Sequence, residues 1–239
     1  MKVKPKAILL DVFNTLFHNE PQLWNATFKE ICSSQHLPVD ADTLWERWKK
    51  LEVNFRAHRT NLENPDDNPP FKSYEEAWRS CFAQVFEEMG GVGDAEKAAK
   101  LSVSDMAQRK PFPETLTTLK SLKRLTRLSI VSNADDAFLM PLLKSYNVGG
   151  MEMVLSSEAA RAYKPHPRPF KLVLEKMNLR PEEALYVGDH LFDDVLGAHN
   201  VGITTVWINR NGLKYDSKLP KPDYTISNLT ELTQFVNSN

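Results

Sequence analysis

Four short segments hold residue types that could do chemistry together: Asp11 with Thr15, Ser132-Asn133, Lys164, and Gly188-Asp189 followed by Asp193-Asp194. An aspartate is a poor nucleophile in water. Fixed in line with an electrophile and relieved of charge repulsion by a cation, it forms a covalent ester or acyl phosphate, and Asp11 is the candidate for that role. Ser132 and Lys164 are suited to hold the oxygens of an anionic small-molecule substrate and to neutralise charge that builds in the transition state, while Thr15 steadies the nucleophile loop. Asp189 would join Asp11 in supplying the hard oxygen ligands that Mg2+ prefers. Each residue alone has a plainer reading, as a strand-end turn residue, a solvated lysine or the acidic start of a helix. All of them would have to be plain together for the site to vanish.

The elements that must position these residues are legible as apolar runs. Residues 7–12 form a short, almost wholly apolar run, the pattern of a strand buried on both faces that delivers a loop at its carboxyl end. Runs at 128–131, 153–155, 185–187 and 203–208 repeat it, separated by stretches of helical periodicity. Such alternation implies a parallel α/β sheet, in which ligands bind at the carboxyl ends of the strands. Asp11, Ser132 and Asp189 each stand beside such an end, and Lys164 follows the third run.

Between the first strand and Pro113 the pattern changes: 23–34, 44–58, 74–89 and 95–108 all read as helices, with no strand between them. Trp24, Trp45, Trp48 and Trp78 fall in this helical insertion at spacings that suit packing faces, so core packing is their expected role rather than a ligand box. Residues 64–70, Asn-Pro-Asp-Asp-Asn-Pro-Pro, form a breaker cluster expected to be an exposed loop or lid tip. Lys110-Pro111-Phe112-Pro113 reads as a stiff return linker, with Pro113-Glu114 opening the next helix. The resulting division is a core of residues 1–16 and 112–239 and a helical cap of residues 17–111.

A length of 239 residues accommodates one core with such an appendage, and a formal charge of -1 gives no overall positive field to collect nucleic acid or an anionic membrane. The basic start Met1-Lys2-Val3-Lys4-Pro5-Lys6 leads into an apolar run broken at Asp11, too short for a secretory core or a span, so a cytoplasmic location is expected. Cys32 and Cys81 lie in helical segments without metal-ligand spacing and read as reduced packing residues. His166, His190 and His199 show no metal-binding spacing either.

Asp11-Val12-Phe13-Asn14-Thr15-Leu16, Ser132-Asn133, Lys164-Pro165 and Gly188-Asp189 with a following Asp resemble the four ordered motifs of the haloacid dehalogenase-like hydrolases, and the helical insertion resembles their mobile cap. The resemblance implies a doubly wound, Rossmann-like α/β core with a helical cap and Asp11 as nucleophile. It further implies Mg2+ held by Asp11, Asp189 and the Phe13 carbonyl, supported by Asp193 or, better placed before Val195, Asp194. Phe13, Asn14 and Asn133 would join Ser132 and Lys164 in contacting substrate.

The family pattern breaks at Phe13. Phosphatases of this superfamily carry a second Asp there, which protonates the leaving alkoxide and then activates water, and losing such help costs about 10²- to 10⁴-fold. Haloacid dehalogenases carry an aromatic residue instead, because halide leaves without a proton and no metal is needed. Dehalogenases, however, usually lack a leading Asp in the fourth motif, whereas this chain has Asp189. On these residues Mg2+-dependent phosphatase activity on a small metabolite ranks first. A 2-haloacid dehalogenase comes second, and a weakly active or inactive phosphate- and metal-binding module third.

Overall fold

The computed structural model describes residues 4–237; Met1-Lys2-Val3 and the last two residues lie outside the described residues. Six strands, β1 (Ala7–Leu10), β2 (Arg127–Ser132), β3 (Met153–Ser156), β4 (Ala184–Gly188), β5 (Thr204–Ile208) and β6 (Tyr224–Ile226), form one sheet in the order β3-β2-β1-β4-β5-β6. Every pairing is parallel, which makes this the doubly wound α/β fold expected from the alternating pattern. The sequence Ala-Ile-Leu-Leu of β1 is wholly buried because β1 lies between β2 and β4. The strand order turns at β1, so a crevice opens among the carboxyl ends of β1, β2 and β4. The sixth strand was not foreseen. Its three residues, Tyr-Thr-Ile, follow a Pro-Lys-Pro stretch and pair only with β5, where Asp223 Oδ2 accepts from Thr205 N and Oγ1 at 2.8 and 2.9 Å.

Between β1 and β2 run α1 (Pro21–Ser34), α2 (Ala41–His58), α3 (Tyr74–Glu88) and α4 (Ala95–Met106). Asp40 caps α2 by accepting from Thr43 N at 2.7 Å, which starts that helix three residues ahead of its apolar periodicity. Ser73 and Glu76 form a capping box on α3. Then α5 (Thr115–Leu122) begins just after Pro113-Glu114, because Thr115 turns back to donate its Oγ1 to Leu16 O at 2.8 Å. Among the described residues no helix is long and apolar enough to cross a membrane.

The chain enters and leaves the helical insertion through two adjoining segments, with His18 N donating to Lys110 O at 2.9 Å and Phe112 N to Leu16 O at 3.0 Å. The insertion then seats on the loops of the sheet. Following β2, α6 (Asp136–Ser145) presents Phe138, which stacks on Trp78 with centroids 5.9 Å apart at 14°. The residue before it, Asp135, accepts from Tyr74 N and Glu75 N, both at 2.8 Å, and so caps α3 from outside the insertion. The breaker cluster is an exposed loop, as its composition implies, tethered at its start by His166 Nε2 3.1 Å from Pro65 O and just past its end by Tyr163 OH, which donates to Lys72 O at 2.8 Å. One buried apolar cluster continues from Ile8 and Leu10 through Phe13 and Phe138 to Trp24, Phe28 and Trp48. Cys32 and Cys81 are unpaired thiols on α1 and α3 packed in that cluster, and burial pushes the Cys81 thiol up to about 11.

Asp135 is 1% exposed, and burial raises its carboxyl to about 6 against the pull of the two N–H donors. An unfolded aspartate titrates near ~3.9, so between roughly pH 4 and 6 the folded chain binds the extra proton and this group's contribution to stability falls as pH rises. Asp135→Asn removes that dependence. Denaturant titrations should show a stability loss relative to wild type that is larger at pH 4.5 than at pH 7, by roughly 1–2 kcal/mol.

Candidate active site

Asp11 follows β1 directly and its backbone N donates to Val187 O at 2.9 Å, which fixes the nucleophile loop to β4. Its Oδ1 accepts from Ser132 Oγ at 2.9 Å and from Lys164 Nζ at 2.7 Å. Both bonds fall on one oxygen, so Oδ2 carries neither. Lys164 is 2% exposed and its ammonium also meets Asp194 Oδ1 at 2.6 Å, Tyr186 OH at 2.7 Å and Val131 O at 3.1 Å. Burial alone would lower its pKa, but Asp11 and Asp194 raise it well above the ordinary lysine value, so it is a permanent cation. Burial pushes the Asp11 carboxyl above the usual range, and Lys164 and Ser132 pull it back.

Tyr186 was missed as a site residue. Within the run Leu-Tyr-Val it reads as one more strand residue, yet its hydroxyl accepts from Lys164 and lies 2.9 Å from Val131 O and 3.1 Å from Asp194 Oδ1. Arg210 was missed too: it donates to Thr15 O and to Glu114 Oε1, each at 2.8 Å, and lies 3.6 Å over the Phe112 ring, bracing the nucleophile loop from beyond β5. The Thr15 hydroxyl, expected to steady that loop, is buried without a hydrogen-bond partner among the described residues; its carbonyl does the steadying.

Carboxylate oxygens of Asp11, Asp189 and Asp194 lie within 4.8 Å of one another. A π-helical turn, Leu191–Leu196, carries Asp194 back over Gly188, where any Cβ would fall 2.3 Å from the Asp194 carboxyl carbon. Only glycine permits that approach. Burial raises the Asp189 carboxyl well above normal, and the negative charges of Asp194 and Asp11 add to the shift. Three acids around one ammonium are short of positive charge, and that shortage fits a hard divalent cation. Asp11, Asp189 and Asp194 are the side chains that would hold Mg2+, whose chemistry is to polarise a substrate oxygen and neutralise developing charge. Asp193 faces elsewhere: its Oδ2 lies 3.0 Å from Arg59 Nη2 and 3.5 Å from Arg56 Nη2, both from the insertion.

The crevice is a cavity of about 210 Å³, lined from the sheet by Asp11, Phe13, Asn14, Ser132, Asn133, Lys164 and the acidic loop. Asn14 holds φ +60° there, a backbone conformation asparagine tolerates. Asn133 is committed to protein: it accepts from Lys164 N at 2.8 Å and donates to Lys164 O at 3.1 Å. Phe13 packs edge-on against Phe138 with centroids 5.7 Å apart. From the insertion, Trp24, Trp45, Trp48 and Trp78 line the same cavity while packing on one another, so they serve as wall as well as core. Lys49 and Arg56 line it too, around the buried Glu52 at 2.6 and 4.0 Å; Arg47 is exposed and outside it. His166 and His190 accept from Arg168 N and Asp193 N, which makes them loop braces, and His199 is exposed.

This fold and site belong to a known class: the chain is a member of the haloacid dehalogenase-like hydrolase family, whose sequence profile matches residues 70–208. Haloacetate dehalogenase H-2 of Moraxella sp. (strain B) is 26% identical over 235 residues, covering 98% of both chains. A glyceraldehyde 3-phosphate phosphatase of Pyrococcus furiosus is 41% identical over 85 residues, 36% of this chain and 35% of that one. The crystal structure of an L-2-haloacid dehalogenase matches with a TM-score of 0.78 at 24% identity, over 99% of this chain and 100% of that one.

The contact between Gly188 and Asp194 yields a test. Gly188→Ala should displace Asp194 from Lys164 and lower turnover by about 10²-fold or more, since a misplacement near 1 Å costs that much at a preorganised site. Steady-state kinetics beside a thermal melt checks it; unchanged turnover in a folded variant would show that Asp194 need not sit there.

Proposed function

We propose that the chain hydrolyses the carbon–halogen bond of a short 2-halocarboxylate, with Asp11 as nucleophile and an aspartyl ester as intermediate. Phe13 carries this reading. Its ring, 9% exposed and packed on Phe138, stands where phosphatases of the superfamily place their proton-moving aspartate. A halide leaves with its electron pair and needs no proton. Similarity to dehalogenases runs nearly the full length of the chain, whereas the phosphatase matches span 36% to 72% of it, and this favours the reading that the sequence ranked second. The small aromatic cavity suits a substrate of a few carbons, and Lys49 and Arg56 on its wall suit the substrate carboxylate.

In the first step Asp11 Oδ2 attacks the halogen-bearing carbon, the new C–O bond forms and the halide departs. Oδ1 then becomes the ester carbonyl oxygen, and it already accepts from Ser132 and Lys164. Those two donors are thus aimed at the oxygen that gains charge when water attacks the ester carbon. As the water oxygen bonds to the Asp11 carboxyl carbon, one of its protons passes to the Asp189–Asp194 carboxylate pair. The bond from that carbon to Oδ2 then breaks, the 2-hydroxycarboxylate leaves with that proton, and Asp11 is restored as a carboxylate holding one oxygen from water, the other proton going to solvent.

The acidic cluster favours a second reading, Mg2+-dependent hydrolysis of a phosphate ester through an aspartyl phosphate, with the cation held by Asp11, Asp189 and Asp194.

Halide release from L-2-chloropropionate and phosphate release from p-nitrophenyl phosphate, each with Mg2+ and with EDTA, separate the two. EDTA-insensitive halide release is expected, and Asp11→Asn should lower it by about 10³-fold or more. Phosphate release that needs Mg2+, with no halide release, would overturn the first reading in favour of the second. Phe13→Asp should shift activity toward phosphate esters by about 10-fold or more; loss of both activities would show that the pocket is built around the aromatic ring.

A further inference from the structure

Arg59 closes α2 and sends its guanidinium out of the helical insertion onto the loop that carries the acidic cluster. Its side chain is 3% exposed. Burying a guanidinium costs several kcal/mol unless it is fully partnered. Here Nη1 donates to Tyr74 OH at 2.7 Å, Nη2 donates to Asp193 Oδ2 at 3.0 Å, and the cation sits 4.4 Å over the Tyr163 ring. Those partners belong to three bodies: α3, the loop after β4, and the residue before Lys164.

Asp193 carries the link further. Its Oδ2 also lies 3.3 Å from Asn133 Nδ2, and Asn133 is bonded to both backbone groups of Lys164. Its neighbour Asp194 holds the Lys164 ammonium at 2.6 Å. One arginine from the insertion is therefore joined, through a single carboxylate, to the loops that bear Ser132, Lys164, Asp189 and Asp194. Arg56, 3.5 Å from the same oxygen and 37% exposed, is in contact with solvent and contributes less.

We propose that Arg59 is a positioning residue, whose ion pair with Asp193 makes the arrangement of the acidic loop depend on the insertion being seated. Asp193 is then the docking point for the helical layer rather than a support for a metal. The kinetic consequence rests on Asp11-centred hydrolysis; the positional consequence does not, and it is read separately.

Arg59→Met keeps the apolar stem and removes the charge, and Asp193→Asn reaches the same pair from the other side. Hydrogen exchange should quicken about tenfold in the amides of residues 189–196 in either variant while those of β5 keep their wild-type rates. On the substrate that wild type turns over, kcat should fall about tenfold or more with KM shifted less than threefold, and Arg59→Lys should recover part of the loss. A wild-type exchange pattern at 189–196 overturns the proposal even if activity falls. Faster exchange spread evenly through β5 also overturns it, as a merely structural role would. If wild type hydrolyses neither substrate, the proposed function fails and exchange still decides the role of Arg59; should Arg59→Met not fold, Asp193→Asn and Arg59→Lys decide it.

Discussion

One buried ammonium organises this molecule. Taking a lysine out of water costs several kcal/mol, and only close opposite charges and hydrogen bonds offset that cost. The four groups around Lys164 Nζ come from the end of β1, from β2, from β4 and from the turn beyond β4. No local sequence supplies them together; the parallel order that puts β1 between β2 and β4 does. The same ammonium pairs with both Asp11 and Asp194 and so offsets the repulsion between their carboxylates.

The helical layer is attached in two physically different ways. Its apolar side is continuous with the sheet's own core through Phe13, Phe138 and Trp78, a non-directional attraction that holds it close without fixing its orientation. Orientation comes from directional contacts at the rim: Asp135 on the first turn of α3, Tyr163 on Lys72, and Arg59 on Asp193. All three anchor points on the sheet side neighbour residues of the site, so the groups that align the layer are next to those that do the chemistry.

Much of this was legible in the amino-acid sequence because β1, β2 and β4 are buried on both faces and so read as apolar runs, broken only by Ser129 in β2, each delivering a polar residue at its end. The parallel fold, and the convergence of Asp11, Ser132, Lys164 and Asp189, followed from that periodicity. What stayed hidden is relational. Tyr186 looks like strand packing until the lysine opposite it is placed, and Arg210 and Thr15 stand far apart in sequence with no pattern to join them. Asp193 and Asp194 are adjacent and chemically identical; the π-helical turn, which no propensity announces, points one at the lysine and the other at the insertion. Strand β6 is too short and too exposed at the sheet edge to leave a periodic trace.

The distribution of tryptophan has an optical consequence. Four indoles line the cavity from the helical side, and the fifth, Trp207, donates its N–H to Asp189 O at 2.8 Å from below. Every ultraviolet-excited indole in the chain therefore reports on one small volume, and none dilutes the signal from a distant surface. A ligand entering that volume, or a shift of the helical layer over it, changes the surroundings of the whole set at once, which gives the protein an intrinsic fluorescence readout of its own site.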